Sequence, residues 1–397
     1  MRILFICNKS PWPPKEGGPM AMNQLIEGLS DYGYNIKVLA VNSKKYFIQP
    51  DQVPAGYKKK TNIEWVYVNL SVKPFQAFLN LFSSRSYHVE RFISKRFEKK
   101  LIEVLSKGKY DIIQLETIYM APYISIIRKY SDAKVILRAH NIEHLIWERI
   151  YNTSKWLPRK IFLKHLYVTL KNYEINVIEQ FDAVIPISNR DATFYKNHTQ
   201  KPVKVIPFGL SPEKFKNVVC DKLPENAIYT IGSMNWLPNI EGLKWFLEKC
   251  WPILSKKHPD LQFYIAGRHM PQWLAGLKIK NIVIEGEVDD ASVFICNKSI
   301  AIVPLLSGSG MRIKIIESMG FGKAVVATNI GAEGLDVVNK ENIFIADTPN
   351  QFVEAISFLY THPEIVKSVG KKANKYVKKF HNSERIIESL IRFYGEI

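Results

Sequence analysis

Short apolar runs, each followed by a stretch with helical spacing, recur along most of the chain and restrict it to a layered α/β architecture. In the first half, strands are expected at 3–7, 36–41, 63–68, 111–115, 135–139, 183–187 and 203–206, with helical patterns between most of them. Continuous apolar strands alternating with helices predict a parallel sheet covered on both faces, with any ligand at the carboxyl ends of the strands. A second series follows: strands at 228–232, 262–266, 282–285, 300–305 and 324–328, with helices at 241–255 and 290–296 and helical patterns from 349 onward. Two doubly wound Rossmann-like domains facing a central cleft are therefore expected. The boundaries are 1–207, a Gly/Pro-interrupted linker at 208–225, and 226–378, with a C-terminal helix at 379–397 packing back on the first domain.

At 397 residues with 47% hydrophobic content, the chain has enough material for two cores. The four cysteines are widely spaced and form no C-x-x-C, so neither a zinc site nor a disulfide framework is indicated, and a reducing cytoplasm fits. The opening run MRILFIC is too short for a signal peptide, and no later stretch approaches the ~20 apolar residues of a membrane span. The formal charge of +18 asks for an acidic partner. Much of it lies in two segments with apolar residues at helical spacing, 85–109 with eight Lys/Arg against three Glu, and 155–171 with five Lys/Arg and no acid. Either could rest on an anionic membrane surface or pack on its own sheet with a solvated basic face.

The stretch SIAIVPLLSGSGMRIKIIESMGFGK (299–323) carries the most chemistry. It reads as a buried strand, a turn containing Gly308, Ser309 and Gly310, and a helix opening at about Met311. Arg312 and Lys314 in a first helical turn work against the helix dipole by ~0.3–1 kcal/mol each, a placement that makes sense if an anion sits there. Glycines let the backbone close around phosphate oxygens, and the helix start behind them completes the site. Glu317, roughly 9 Å along the helix axis, is placed for the hydroxyls of a ribose attached to a diphosphate. An ordinary strand-to-helix turn with a solvated basic face is the competing explanation.

Elsewhere, no G-x-G-x-x-G follows the first strand, which disfavours a nicotinamide cofactor; Gly17 and Gly18 instead precede a helix at about 20–32. Residues 42–62 read as a mobile loop. His140 stands at the carboxyl end of a strand, facing the expected ligand crevice. His140, Glu143 and His144 form an H-x-x-E-H string, but one beginning at a strand end and not inside a helix, so it is a weak metal motif.

The run VPLLSGSGMRIKIIESMGFGKAVVATNIGAEGL resembles the donor-binding segment of retaining glycosyltransferases of family 4, which have the GT-B fold. RAHNIEH, DAVIPISNRD, VIPFGLSPEKF, IGSMNWLPNIEG and IEGEVDD occur in the order that family uses. The resemblance covers nearly the whole chain and is weakest at 43–109, where acceptor specificity is expected. It implies transfer of a hexose from a nucleotide-diphosphate sugar to a hydroxyl of a glycan or lipid-linked acceptor, in cell-surface polysaccharide or lipopolysaccharide synthesis. Gly17 and Gly18 then approach donor phosphates and acceptor, His140 hydrogen-bonds the transferred sugar, Arg312 and Lys314 neutralise the leaving diphosphate, Glu317 takes the ribose, and Gly286 to Val288 line the base pocket.

Two departures stand out. Ser309 replaces the first glutamate of the family's E-x7-E pattern, and Ser233, Asn235 and Asn239 occupy the stretch where an Arg and a Lys usually follow the first strand of the second domain. Arg312 and Lys314 would then supply the charge, with no cofactor and no metal; the chain has no Asp-x-Asp motif. The rival expectations are a nucleotide-sugar epimerase on the same scaffold, which needs no acceptor, and a basic nucleic-acid-binding protein. The latter is disfavoured because no aromatic-basic RNP-type run or zinc finger is present. The expected location is cytoplasmic, with room for peripheral contact at the inner face of a membrane.

Overall fold

The computed structural model describes residues 1–216, 225–308 and 310–397. It separates into two compact units, Met1–Phe208 with Glu384–Ile397, and Gly209–Ser383. Of the linker expected at 208–225, residues 217–224 lie outside the described residues, as does Ser309.

The first unit is built on a parallel sheet of β1 (Arg2–Cys7), β2 (Asn35–Asn42), β3 (Glu64–Tyr67), β4 (Ile112–Glu116), β5 (Lys134–Ala139) and β6 (Ala183–Pro186). Their order is β3-β2-β1-β4-β5-β6, with Cys7 beside Glu116 and Glu116 beside Arg138. β1 and β4 are the neighbours from which the chain winds outward in opposite directions, the switch point where doubly wound sheets bind ligands. β1 is an apolar run because it is central, and Ile3 to Cys7 are wholly buried. One face packs against the Gly17–Asp31 helix and the C-terminal Ser383–Glu396 helix. The latter buries Ile386, Ile387, Leu390, Phe393 and Tyr394, each contributing about 1.5–3 kcal/mol of apolar burial. The two helices approach so closely that a Cβ on Gly28 would stand 2.6 Å from Ile387 Cδ1.

The second unit contains β7 (Glu225–Ile231), β8 (Phe263–Ala266), β9 (Ile282–Gly286), β10 (Lys298–Val303), β11 (Ala324–Ala327) and β12 (Phe344–Ile345), all parallel. Their order, β12-β11-β10-β7-β8-β9, is the first sheet's order read backwards. The switch point here lies between β7 and β10.

Several local expectations are corrected. The segment 203–206 is no strand: it follows β6 through hydrogen bonds from Lys204 and Ile206, but Pro186, Pro202 and Pro207 interrupt the ladder and leave one isolated bridge at Val203. The helix expected at 241–255 is two helices, Leu237–Lys249 and Trp251–Lys257, broken at Cys250 ahead of Pro252. Residues 42–62 are not a structureless loop. They hold a short turn at Pro50–Gln52 and the Ala55–Thr61 helix, and the Asn42 side chain clamps Ile48 with bonds of 2.8 and 2.9 Å. Two-residue β12 was too short to show a period. Cysteine spacing predicts no disulfide, whereas Cys296 is in one; Cys7 and Cys250 are free.

Candidate active site

In the second unit, β10 ends at Val303, and the helix behind the glycine turn is Ile313–Gly320, two residues later than the sequence suggests. Arg312 is its N-cap, not a first-turn residue, and Lys314 is the second helical residue. The turn needs its glycines: Gly308 has φ +111° and Gly310 φ +85°, values costly for residues with a Cβ. Gly308 also faces Arg312 and Trp236 at close range, since a Cβ there would lie 2.9 Å from Arg312 Nη2 and 3.1 Å from the indole. The buried guanidinium stacks over the Trp236 ring, 5.1 Å from its centroid. Met311, between turn and helix, is half-buried.

Lys314 reaches the carboxyl end of β7. Its Nζ donates to Asn239 Oδ1 at 2.8 Å, and Asn239 Nδ2 donates to the Ser233 carbonyl at the same distance. A Cβ on Gly232, the residue after β7, would come within 3.1 Å of that Nζ. Residues from the β7 and β10 ends thus meet around one ammonium. Burial, and then the Arg312 charge, pulls the Lys314 pKa down from its ordinary range to about 7. Two cations held this close, one with its pKa depressed, are an arrangement that an incoming anion stabilises. Trp236 escaped the sequence reading, and Asn239 entered it only as one of the residues standing where an Arg and a Lys are usual, because neither carries charge.

Glu317 meets Lys214, 103 residues earlier in the chain, in an ion pair, with Glu317 Oε1 accepting from Lys214 of the Glu213–Lys216 helix. Gly286 ends β9 with φ +72° and open space where a Cβ would sit, and half-buried Val288 follows. The ends of β7, β8 and β9 each carry a glycine, and a Cβ on Gly267 would collide with the Gly232 carbonyl at 1.8 Å. The backbone therefore stays low along this edge.

In the first unit, Gly17 and Gly18 do not precede the helix; they are its first residues, behind the N-cap Glu16. A Cβ on Gly18 would meet the Lys9 ammonium at 2.9 Å, so Lys9 extends from the end of β1 over the helix start, and its Nζ also lies over the Tyr46 ring. His140 follows β5, 12% exposed, and its Nε2 lies 2.5 Å from Oε2 of wholly buried Glu116, the last residue of β4. A carboxylate only accepts, so Nε2 carries the proton and Nδ1 is the ring's other polar atom. Glu116 Oε1 accepts from Gln114 at 2.6 Å, and the Glu116 charge pushes the Cys7 thiol up, after burial itself. Arg138, beside Glu116 and fully buried, donates to the Ile206 carbonyl; burial lowers its pKa to about 10. Thr117, next in the chain, is strained at φ +81°, and its buried hydroxyl has no hydrogen-bond partner among the described residues.

A second carboxylate pair flanks this dyad. Glu174 accepts from the backbone N–H groups of Glu143 and His144 at 3.1 and 3.2 Å, capping the Glu143–Thr153 helix from outside, and from His144 Nδ1 at 2.8 Å. Glu143 accepts from Tyr119 at 2.9 Å, and burial together with Glu174 raises its pKa to about 7. The H-x-x-E-H string is thereby divided: His140 turns to Glu116, His144 to Glu174, Glu143 to Tyr119. Glu116 and Thr117 at the end of β4 and Glu174 on the Leu157–Val177 helix were missed because their partners come from other elements, which local spacing does not show.

Two doubly wound domains with this strand order form the GT-B class. The model of the family described as Glycosyl transferases group 1 matches residues 225–362, which hold the glycine turn, Arg312, Lys314 and Glu317. The match lies within the second unit. Among its relatives, an uncharacterized 44.6 kDa protein in the cps region of Klebsiella pneumoniae is 21% identical over 98% of this chain and 99% of its own. An uncharacterized glycosyltransferase of Haemophilus influenzae is 25% identical over 91% of each chain. Sucrose-phosphate synthase from Thermosynechococcus elongatus superposes with a TM-score of 0.75 at 15% identity, covering 100% of this chain and 99% of that one. Anabaena HepE in complex with UDP-glucose superposes with a TM-score of 0.67 at 14% identity over the full length of both.

Proposed function

We propose that the protein transfers a hexose from a nucleoside-diphosphate sugar to a hydroxyl of a glycan or lipid-linked acceptor, with retention at the anomeric carbon, in the manner of family 4 enzymes. The observation that carries this reading is the paired cation site at the β7 and β10 ends, where Arg312 and Lys314 stand against a turn of positive-φ glycines. In the step, the bond from the anomeric carbon to the diphosphate oxygen breaks while the acceptor hydroxyl oxygen bonds to that carbon on the same face; the hydroxyl proton passes to the departing diphosphate, where negative charge grows. Lys314 and Arg312 neutralise it without a metal, and the backbone around Gly308 and Gly310 receives phosphate oxygens. Glu317 takes the ribose hydroxyls, exchanging part of its ion pair with Lys214 for them. Gly286 and Val288 border the base, and His140, its tautomer fixed by Glu116, hydrogen-bonds the transferred sugar through Nδ1. Lys9 and the helix start at Gly17 and Gly18 add positive potential in the first unit.

The cps-region relative and the bound UDP-glucose of a structural neighbour support a donor of this kind and a role in cell-surface polysaccharide assembly. Among the described residues no helix is long and apolar enough to cross a membrane; a lipid-linked acceptor is then reached by peripheral contact from the cytoplasmic side. The test is to follow nucleoside diphosphate release from UDP-sugars and GDP-sugars with and without a lipid-extract acceptor fraction. Release that depends on acceptor is the expected result. Interconversion of the sugar with no acceptor present would instead make the protein an epimerase.

A further inference from the structure

The two basic segments of the sequence have different fates. In the Lys95–Ser106 helix, Phe97, Leu101, Val104 and Leu105 are buried in the core of the first unit, so this helix keeps only a solvated basic face. The Leu157–Val177 helix behaves otherwise. It buries Leu163, Leu166 and Leu170 on one side but leaves Leu157 68% and Ile161 61% exposed, with Trp156 at its N-cap 68% exposed. Against it packs the Pro74–Asn80 helix: Ala77 joins Leu163 and Leu166 in one cluster, and Asn80 Oδ1 lies 3.2 Å from His165 Nε2. That helix also turns aromatic rings outward, with Phe75 72%, Phe78 57% and Phe82, just beyond its end, 80% exposed. Phe78 and Phe82 touch edge to face, with centroids 5.7 Å apart.

With Leu79, 51% exposed, the two adjoining helices and their ends thus present seven large apolar side chains to solvent, far more than scattered surface hydrophobics require. Within the two segments the charge has one sign, and the acid at their edge, Glu90, accepts from Asn80 at 3.2 Å and pairs with Arg85. Residues 72–84 contain Lys73 and no acid, and 155–171 contain Lys155, Arg159, Lys160, Lys164 and Lys171 and no acid. Lys155, Arg159 and Lys164 are exposed. Exposed apolar side chains beside a basic helix fit an anionic bilayer surface, where the apolar groups enter the headgroup layer and the cations stay at the phosphates.

We propose that the Pro74–Asn80 helix and the N-terminal half of the Leu157–Val177 helix form a membrane-docking face for anionic phospholipid bilayers. This names the surface for the peripheral contact in the function proposed above, and rests on that reading only for its purpose. The docking itself requires no sugar transfer.

The test is co-sedimentation of the full chain with phosphatidylcholine vesicles, with and without phosphatidylglycerol. Compared with wild type are a Phe75→Ser, Phe78→Ser, Phe82→Ser variant, a Trp156→Ser, Leu157→Ser variant and an Arg159→Gln, Lys164→Gln variant. Wild type is expected to sediment with the anionic vesicles only, and each variant to bind them at least about tenfold more weakly with an unchanged melting temperature, since the replaced side chains are exposed. Equal binding by wild type and variants overturns the proposal, as does wild type that ignores anionic vesicles. So does a wild-type dimer that the serine variants turn into monomers, because the face would then be an interface between copies. UDP binding, followed in the same samples, separates the two readings: docking can fail while the nucleotide site stands, and the reverse.

Discussion

The two sheets of this protein have the same strand order, yet their switch points carry opposite chemistry. Between β7 and β10 lie an arginine, a lysine and two positive-φ glycines; between β1 and β4, and on neighbouring β5, lie a buried carboxylate, its histidine and a strained threonine. Topology fixes where a ligand binds, and the loop residues at that place decide which ligand. The cationic end suits a leaving diphosphate. The carboxylate-histidine end has a fixed tautomer and a proton donor–acceptor pair suited to a neutral sugar.

The largest effect that could break this comparison is expected from the cations. An Arg312→Ala, Lys314→Met variant should lose transfer activity by about 10²–10³-fold, the loss seen when groups facing developing charge are removed. Removing the histidine should matter less. His140→Ala is expected to lower kcat by roughly 10–100-fold with UDP affinity unchanged, because a hydrogen bond to the sugar is lost and no phosphate contact. Equal loss of UDP affinity in both variants would erase the distinction between the two ends.

A smaller effect concerns pH. Burial, and then the neighbouring Arg312, brings the Lys314 pKa down to about 7, and an anion bound beside it would favour the charged form. UDP affinity should therefore fall as pH rises above about 7, by at most tenfold per unit, and binding should take up a proton. Calorimetry at pH 8 in buffers of different ionisation enthalpy reads that uptake directly. The same depressed pKa has a stability cost. Between about 7 and the ordinary lysine value of 10.5 the unfolded chain holds more protons at this site, so its contribution to stability increases with pH over that window. Glu143 has the opposite sign: its pKa, raised from 4.5 to about 7, makes the folded state hold the extra proton, and its contribution falls as pH rises between those values.

The smallest expected change follows from this. Lys314→Met should raise the melting temperature of the unliganded protein by about 2–4 °C while abolishing its stabilisation by UDP, the trade expected where a site is held ready for a ligand at the expense of stability. Glu143→Gln should do the same in the first unit at neutral pH, without touching UDP binding.

Much of this contrast was visible in the sequence on one side only. The cationic end could be read because its elements are local: glycines, two basic residues and a carboxylate fall within ten residues, 308–317, and in a helix such spacing already implies geometry. Even there the helix start moved two residues, and the partners that hold the charges, Asn239, Trp236 and Lys214, come from 75 to 103 residues away. The carboxylate end was nearly silent. His140 stood out by its place after β5, but Glu116 reaches it only through the β4–β5 pairing, and Glu174 reaches Glu143 and His144 from the last turn of a long helix. Strand positions were legible because buried parallel strands are continuous apolar runs. What failed, at 203–206 and Cys250, failed where prolines decide whether hydrogen bonds can continue.

The most direct test of the account is UDP-induced thermal stabilisation of three proteins: wild type, Lys314→Met and His140→Ala. The account predicts that UDP raises the melting temperature of wild type and His140→Ala alike and leaves Lys314→Met unmoved. Stabilisation of Lys314→Met equal to wild type, or its loss in His140→Ala, would contradict the assignment of the diphosphate to the β7 and β10 ends.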